Sequence, residues 1–266
     1  MNRIDRLFEK KKKDVLAVYF TAGYPNLNDT VSIISALGKE GTDLIEIGMP
    51  FSDPLADGPV IQESSRIALE NGMNIKLLFE QLSKLPRAAE RPPLILMGYL
   101  NPVMQFGIEK FLQKCAEAGI SGIILPDMPV EVYEREYKVL FEKYGIHFIF
   151  LITPVTPELR ARKIASLSKG FLYLVSTSAT TGTNNKFSDE QEASLKKVAD
   201  YNLPIPILTG FGIHDHDSFK AASRFTNGAI VGSAFIRELA KTKNPETASR
   251  NLITRLQQFN YDHSVK

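Results

Sequence analysis

The chain has 266 residues, 44% of them hydrophobic, and a net charge of +2 from 32 basic and 30 acidic side chains. That balance leaves no large basic field for nucleic acid, and the length admits one or two domains with a sizeable core. The single Cys115 excludes an intrachain disulfide, and no apolar leader or run of about 18 apolar residues is present, so a cytoplasmic protein is expected.

The first predicted element is a short amphipathic helix whose end, Lys10-Lys-Lys-Lys13, reads as a solvated basic terminus. Short apolar, β-branched runs then predict strands at 15–20, 44–47, 94–97, 122–125, 147–152, 171–175, 205–208 and 229–231. Helical spacing of apolar residues marks 30–37, 108–118, 132–143, 158–167 and 218–222, and places Cys115 beside Phe111 and Leu112 as a core thiol. Eight β–α units predict a TIM (β/α)8 barrel, one domain over 1–266 with a short N-terminal helix. An open doubly wound sheet would offer a Gly-rich dinucleotide turn after its first strand. The chain reads Thr21-Ala-Gly-Tyr-Pro25 there instead.

The segment 43–62 carries the strongest chemical signal. Glu46 lies inside an apolar strand, where an unpaired ionised carboxylate costs several kcal/mol, and Asp53 and Asp57 follow on a loop stiffened by Pro50, Pro54 and Pro59. Two acids in different environments suit proton transfer. The plainer readings are a buried Glu46 paired with a barrel cation and Asp57 as an Asp-Gly turn residue, though no strand-borne cation is evident. Asp53 reads as a loop-shaping residue or a partner contact. A second constellation, Thr181-Gly182, Gly210-Phe-Gly212 and Gly232-Ser233, follows the last three strands, where barrels commonly hold phosphate on backbone N–H groups. No strand-end Lys suits a Schiff base, and no Gly-x-Ser-x-Gly elbow suits a serine nucleophile. His214-Asp-His216 reads as a polar helix start rather than a metal site. Acid–base chemistry on a phosphate-bearing substrate remains.

Glu46-x-Gly-x-Pro-Phe-Ser-Asp-Pro-x-Ala-Asp-Gly-Pro59 closely resembles the signature of tryptophan synthase α subunits. Phe20-Thr-Ala-Gly-Tyr-Pro25, Tyr99-Leu-Asn-Pro102, Pro126-Asp-Met-Pro129, Thr181-Gly182, Gly210-Phe-Gly-Ile213 and Val231-Gly-Ser-Ala-Phe235 extend the resemblance in the family's order. It implies retro-aldol cleavage of indole-3-glycerol phosphate, with Glu46 as proton shuttle and Asp57 stabilising the protonated ring. By family position, Phe20, Ile61, Leu100 and Phe211 wall the indole and Tyr173 lies near the reacting hydroxyl. The resemblance further implies no cofactor in this chain and a β subunit partner carrying pyridoxal phosphate, in an α2β2 heterotetramer. Alternatives are a stand-alone indole-releasing lyase and a catalytically silent subunit that regulates a β partner. Ala179 stands where the family usually has Gly, within a polar segment, 176–186, expected to act as a lid.

Overall fold

A computed structural model describes residues 1–86, 91–175, 189–210 and 212–257. Among the described residues eight parallel strands run in chain order: β1 Val15–Thr21, β2 Leu44–Gly48, β3 Leu94–Met97, β4 Ile120–Ile124, β5 at 147–152 in two short segments, β6 Leu172–Leu174, β7 Ile207–Thr209 and β8 Gly228–Val231. β1 pairs with β2 on one side and β8 on the other. From β2 the ladder continues through β3 and β4, and from β8 through β7 and β6. The two ends meet on β5, whose first half, His147–Phe148, pairs with β4 and whose second half, Leu151–Ile152, pairs with β6. The stretch 147–152, two short strand segments joined through Ile149 and Phe150, thus links both ends of the sheet and closes the barrel.

Twelve helices lie among the described residues: α1 Arg3–Lys10, α2 Thr30–Lys39, α3 Pro59–Glu70, α4 Ile75–Leu82, α5 Leu100–Phe106, α6 Ile108–Glu117, α7 at 130–144, α8 Glu158–Leu167, α9 Asp189–Ala199, α10 His216–Phe225, α11 Ser233–Thr242 and α12 Pro245–Gln257. A π turn, Tyr133–Tyr137, interrupts α7. With an apolar interior inside and helices outside, the strands have no wet face, so β1, β2, β4 and β8 are buried at every residue. Cys115 is buried as expected. The His214-Asp-His216 segment is indeed a helix start: Asp215 caps α10 in a reciprocal box with Ser218.

α1 plugs the N-terminal end of the barrel. Ile4 is fully buried, and a Cβ added to Gly122 or Gly170 would come within 3.0 and 2.7 Å of it. The Asn2 side chain caps the helix and donates to the Ser121 and Gly145 carbonyls at 2.8 and 3.0 Å. Asp5 meets His147 at 2.9 Å, and Phe8 packs on Phe171. The basic end is largely solvated: Lys10, Lys12 and Lys13 are exposed, Lys13 also donating to the Thr226 carbonyl, while the half-buried Lys11 pairs with Asp43.

Candidate active site

In register, Tyr19 of β1 lies beside Glu46 of β2, which lies beside Ile95 of β3 and then Gly122 of β4. Register neighbours point the same way, and a Cβ on Gly122 would meet Ile95, Ile149 and the Ile4 plug, so this layer faces the interior. Glu46 therefore points into the barrel. Both its carboxylate oxygens are buried without a hydrogen-bond partner. Burial, with the nearby Asp57 charge adding to it, pushes its pKa up to about 8. Such a group is a carboxylic acid at neutral pH, with no cation among the described residues to hold it ionised.

The loop after β2 brings Asp57 over the same interior. Its backbone N–H donates to the Pro54 carbonyl at 3.0 Å, and the Gln62 side chain donates to the Asp57 carbonyl at 2.9 Å. Tyr99, just beyond β3, accepts the Ala56 N–H at 2.9 Å and donates its hydroxyl to Asp57 Oδ2 at 3.1 Å. Because the phenol oxygen already accepts from Ala56, its own proton is directed to the carboxylate. Phe51 stacks on the Tyr99 ring at 5.1 Å and steadies the same loop. Burial raises Asp57 to about 6, tempered by the Tyr99 hydrogen bond. A neutral acid and a largely ionised carboxylate thus coexist near pH 7, which the separation of the two pKa values allows.

Two wall residues need correction. Phe20 pairs in register with Ile47, one position out of step with Glu46, so it points outward to the helices and is fully buried there. Tyr19 takes the inward place. Its ring lies against Gly48 and Gly232, and its hydroxyl meets Thr21 Oγ1 at 3.4 Å. Leu100 lies past β3 at the start of α5, where Asp127 accepts its N–H. Met97, in register with Gly48, is the strand residue with inward parity. Ile61 is buried on the first turn of α3, and its carbonyl accepts from Ser64, which also bonds Thr21.

Tyr173 of β6 faces the acids. Burial, then the charges of Glu46 and Asp57, hold its phenol well above its ordinary pKa. Its hydroxyl fills the space that a Cβ on Gly210 would need, at 2.4 Å. Gly210 also donates its N–H to the Leu174 carbonyl. It is therefore a packing glycine rather than a phosphate donor, which corrects its sequence assignment. Gly212 is exposed with φ +41°, and Gly232 precedes α11, whose N-terminus no side chain caps. Asp215 already occupies the start of α10, whereas the first turn of α11, with Ser233, has no capping side chain. Thr181, Gly182, Phe211, Ala179 and the segment 176–186 lie outside the described residues.

Sequence reasoning misses Tyr19 and Met97 as site residues, and marks Tyr99 only within a motif at a strand end, without a role. A signal for Tyr99 is present in the sequence, since it ends the strand next to the Glu46 strand.

Residues 6–264 match the family described as tryptophan synthase alpha chain. The tryptophan synthase alpha chain of Flavobacterium johnsoniae is 52% identical over 242 residues, covering 91% of this chain and 95% of that relative. The crystal structure of the alpha chain from Legionella pneumophila superposes with a TM-score of 0.87 at 34% identity, covering 97% of each chain. The aminoacrylate-bound tryptophan synthase structure from M. tuberculosis gives 0.82 at 25%, covering 96% of this chain and 98% of that one. With half its residues shared with that bacterial relative over nearly the full length of both, this chain belongs to the tryptophan synthase alpha chain family.

Proposed function

We propose that Glu46 and Asp57 carry the reaction of this chain, a carbon–carbon lyase of tryptophan biosynthesis that cleaves indole-3-glycerol phosphate to indole and glyceraldehyde 3-phosphate. The observation that carries the assignment is the buried, unpartnered Glu46 carboxyl, held protonated beside a carboxylate that is mostly ionised. Glu46 gives its proton to ring carbon 3, making a cationic indolenine. Asp57 accepts a hydrogen bond from the ring N–H and stabilises that charge. Glu46, now a carboxylate, takes the proton of the glycerol hydroxyl on the carbon bonded to the ring. That hydroxyl becomes the aldehyde carbonyl as the carbon–carbon bond breaks, and its electrons neutralise the ring to give indole. The proton leaves Glu46 and one returns to it, so the step balances without a cofactor.

In this reading Tyr173 orients the Glu46 carboxyl or the glycerol hydroxyl. Tyr19, Met97 and Ile61 wall the indole, while Gly212, Gly232 and Ser233 receive the phosphate with Thr181 and Gly182. A β subunit containing pyridoxal phosphate consumes the indole in the cytoplasm, in an α2β2 assembly. Exposed Leu55 and Met104, on the loop after β2 and on α5 after β3, supply apolar contacts for it on the catalytic face.

The test is Glu46→Gln, which keeps the shape and removes the transferable proton. Indole release should fall by about 10²–10⁴-fold while substrate binding, and thermal unfolding at pH 5, remain close to those of the parent. A near-parental rate would remove Glu46 from the chemistry.

A further inference from the structure

At the opposite end of the barrel from Glu46, a cleft of about 1080 Å³ opens between α4 and α6 beside α1. Its charge is lopsided. Lys114 pairs with Glu117, and Lys76 lies 4.0 Å from Glu80. Arg3, Arg6, Arg91 and Lys110 also line it, and none has an acidic partner among the described residues. Three guanidinium groups therefore gather at one wall with no carboxylate paired to them among the described residues.

The two inner ones are held in place. Arg91 donates Nη2 to the Ala118 carbonyl at 3.1 Å, and its Nη1 is buried with no partner. Gly119 leaves it room: a Cβ there would come within 2.8 Å of Arg91 Nη2. Arg3 donates to the Arg91 carbonyl, which fixes it beside its neighbour. Burial and the like charges of Arg91 and Arg6 depress the Arg3 pKa, as an unmet repulsion should. Opposite lie Phe79 and Phe106, ring centroids 5.8 Å apart, with Lys110 Nζ 4.9 Å over the Phe106 ring. An apolar floor under a fixed guanidinium fork suits a ligand with a planar body and a carboxylate or phosphate head.

The geometry points to a second ligand site in this cleft, taking a small organic oxyanion whose head lies on Arg91 and Arg3 and whose apolar body lies on Phe79 and Phe106. The site is separate from the phosphate loops, which belong to the other end of the strands.

The probe is phenylphosphonate, titrated calorimetrically into the full chain with saturating glycerol 3-phosphate present to occupy the catalytic mouth. One phenylphosphonate should still bind. Arg91→Gln and Arg3→Gln, each verified as folded by thermal unfolding, should weaken it at least ten-fold. Arg91→Lys should fall between parent and Arg91→Gln, since it keeps the charge and loses the fork. Lys76→Gln, at the rim, should change affinity less than two-fold. No binding at millimolar probe, loss of binding when glycerol 3-phosphate is added, or parental affinity in both glutamine variants would overturn the proposal.

Discussion

Glu46 couples activity to stability through a single proton. The productive form needs Glu46 protonated and Asp57 ionised, so kcat/KM should rise through about pH 6, peak near 7 and fall through about pH 8. Tyr99→Phe removes the hydroxyl that donates to the Asp57 anion. The acidic limb should then move to higher pH while the basic limb stays, and an unmoved acidic limb would show that another group controls it. Stability follows the same pair with a definite sign. Glu46 binds its proton more tightly folded than unfolded, so its contribution is fully present below about pH 4.5 and is lost as pH rises toward 8. An amide in its place has no proton to lose over that range. Glu46→Gln should therefore be about as stable as the parent at pH 5 and more stable at pH 8, by a few kcal/mol at about 1.4 kcal/mol per pK unit. Denaturant melts at the two pH values give the comparison, and a constant difference would contradict the burial argument.

At the scale of elements, the eight strands are readable because each is a compact β-branched run between helical patterns. What cannot be read is which side of a strand faces in. β1 is Val-Leu-Ala-Val-Tyr-Phe-Thr, apolar at nearly every position and buried on both sides, so no alternation separates Tyr19 from Phe20. Glu46 escapes that ambiguity because its charge marks its own side. The Arg3–Arg91 cluster is illegible for a different reason, since its members are brought together only when α1 docks. Gly210 is readable as special but not why; the Tyr173 hydroxyl reaching it from the adjacent strand decides that. Gly210→Ala should place a methyl where Tyr173 Oη now lies and force the ring aside. Steady-state kinetics should show kcat reduced on the order of 10–100-fold with little change in the unfolding midpoint. A parental kcat would mean that Tyr173 is not a positioning group.

The whole molecule divides its labour between its two ends. The catalytic mouth is built from loops, and the Asp57 loop is held chiefly by Tyr99 and Phe51. A partner that seats on exposed Leu55 and Met104 can raise the fraction of molecules with Asp57 correctly placed. Titrating a tryptophan synthase β subunit into a fixed amount of this chain should give a saturable rise in indole release. A high rate indifferent to the β subunit would favour the stand-alone lyase. The other end is sealed by α1, and its seat is assembled from β4, β5 and the segment before β6.

That seal has a consequence for biosynthesis on the ribosome. Ile4 and Phe8 are made before the surfaces they fit, around Gly122, His147, Gly170 and Phe171, which follow more than a hundred residues later. At ordinary elongation rates the gap is roughly 10–30 s. Throughout that interval the opening helix carries its apolar side exposed, with only its charged side to keep it from aggregating. A helix made before its seat is thus among the last to find its place, and the barrel stays open at its base until the stopper docks.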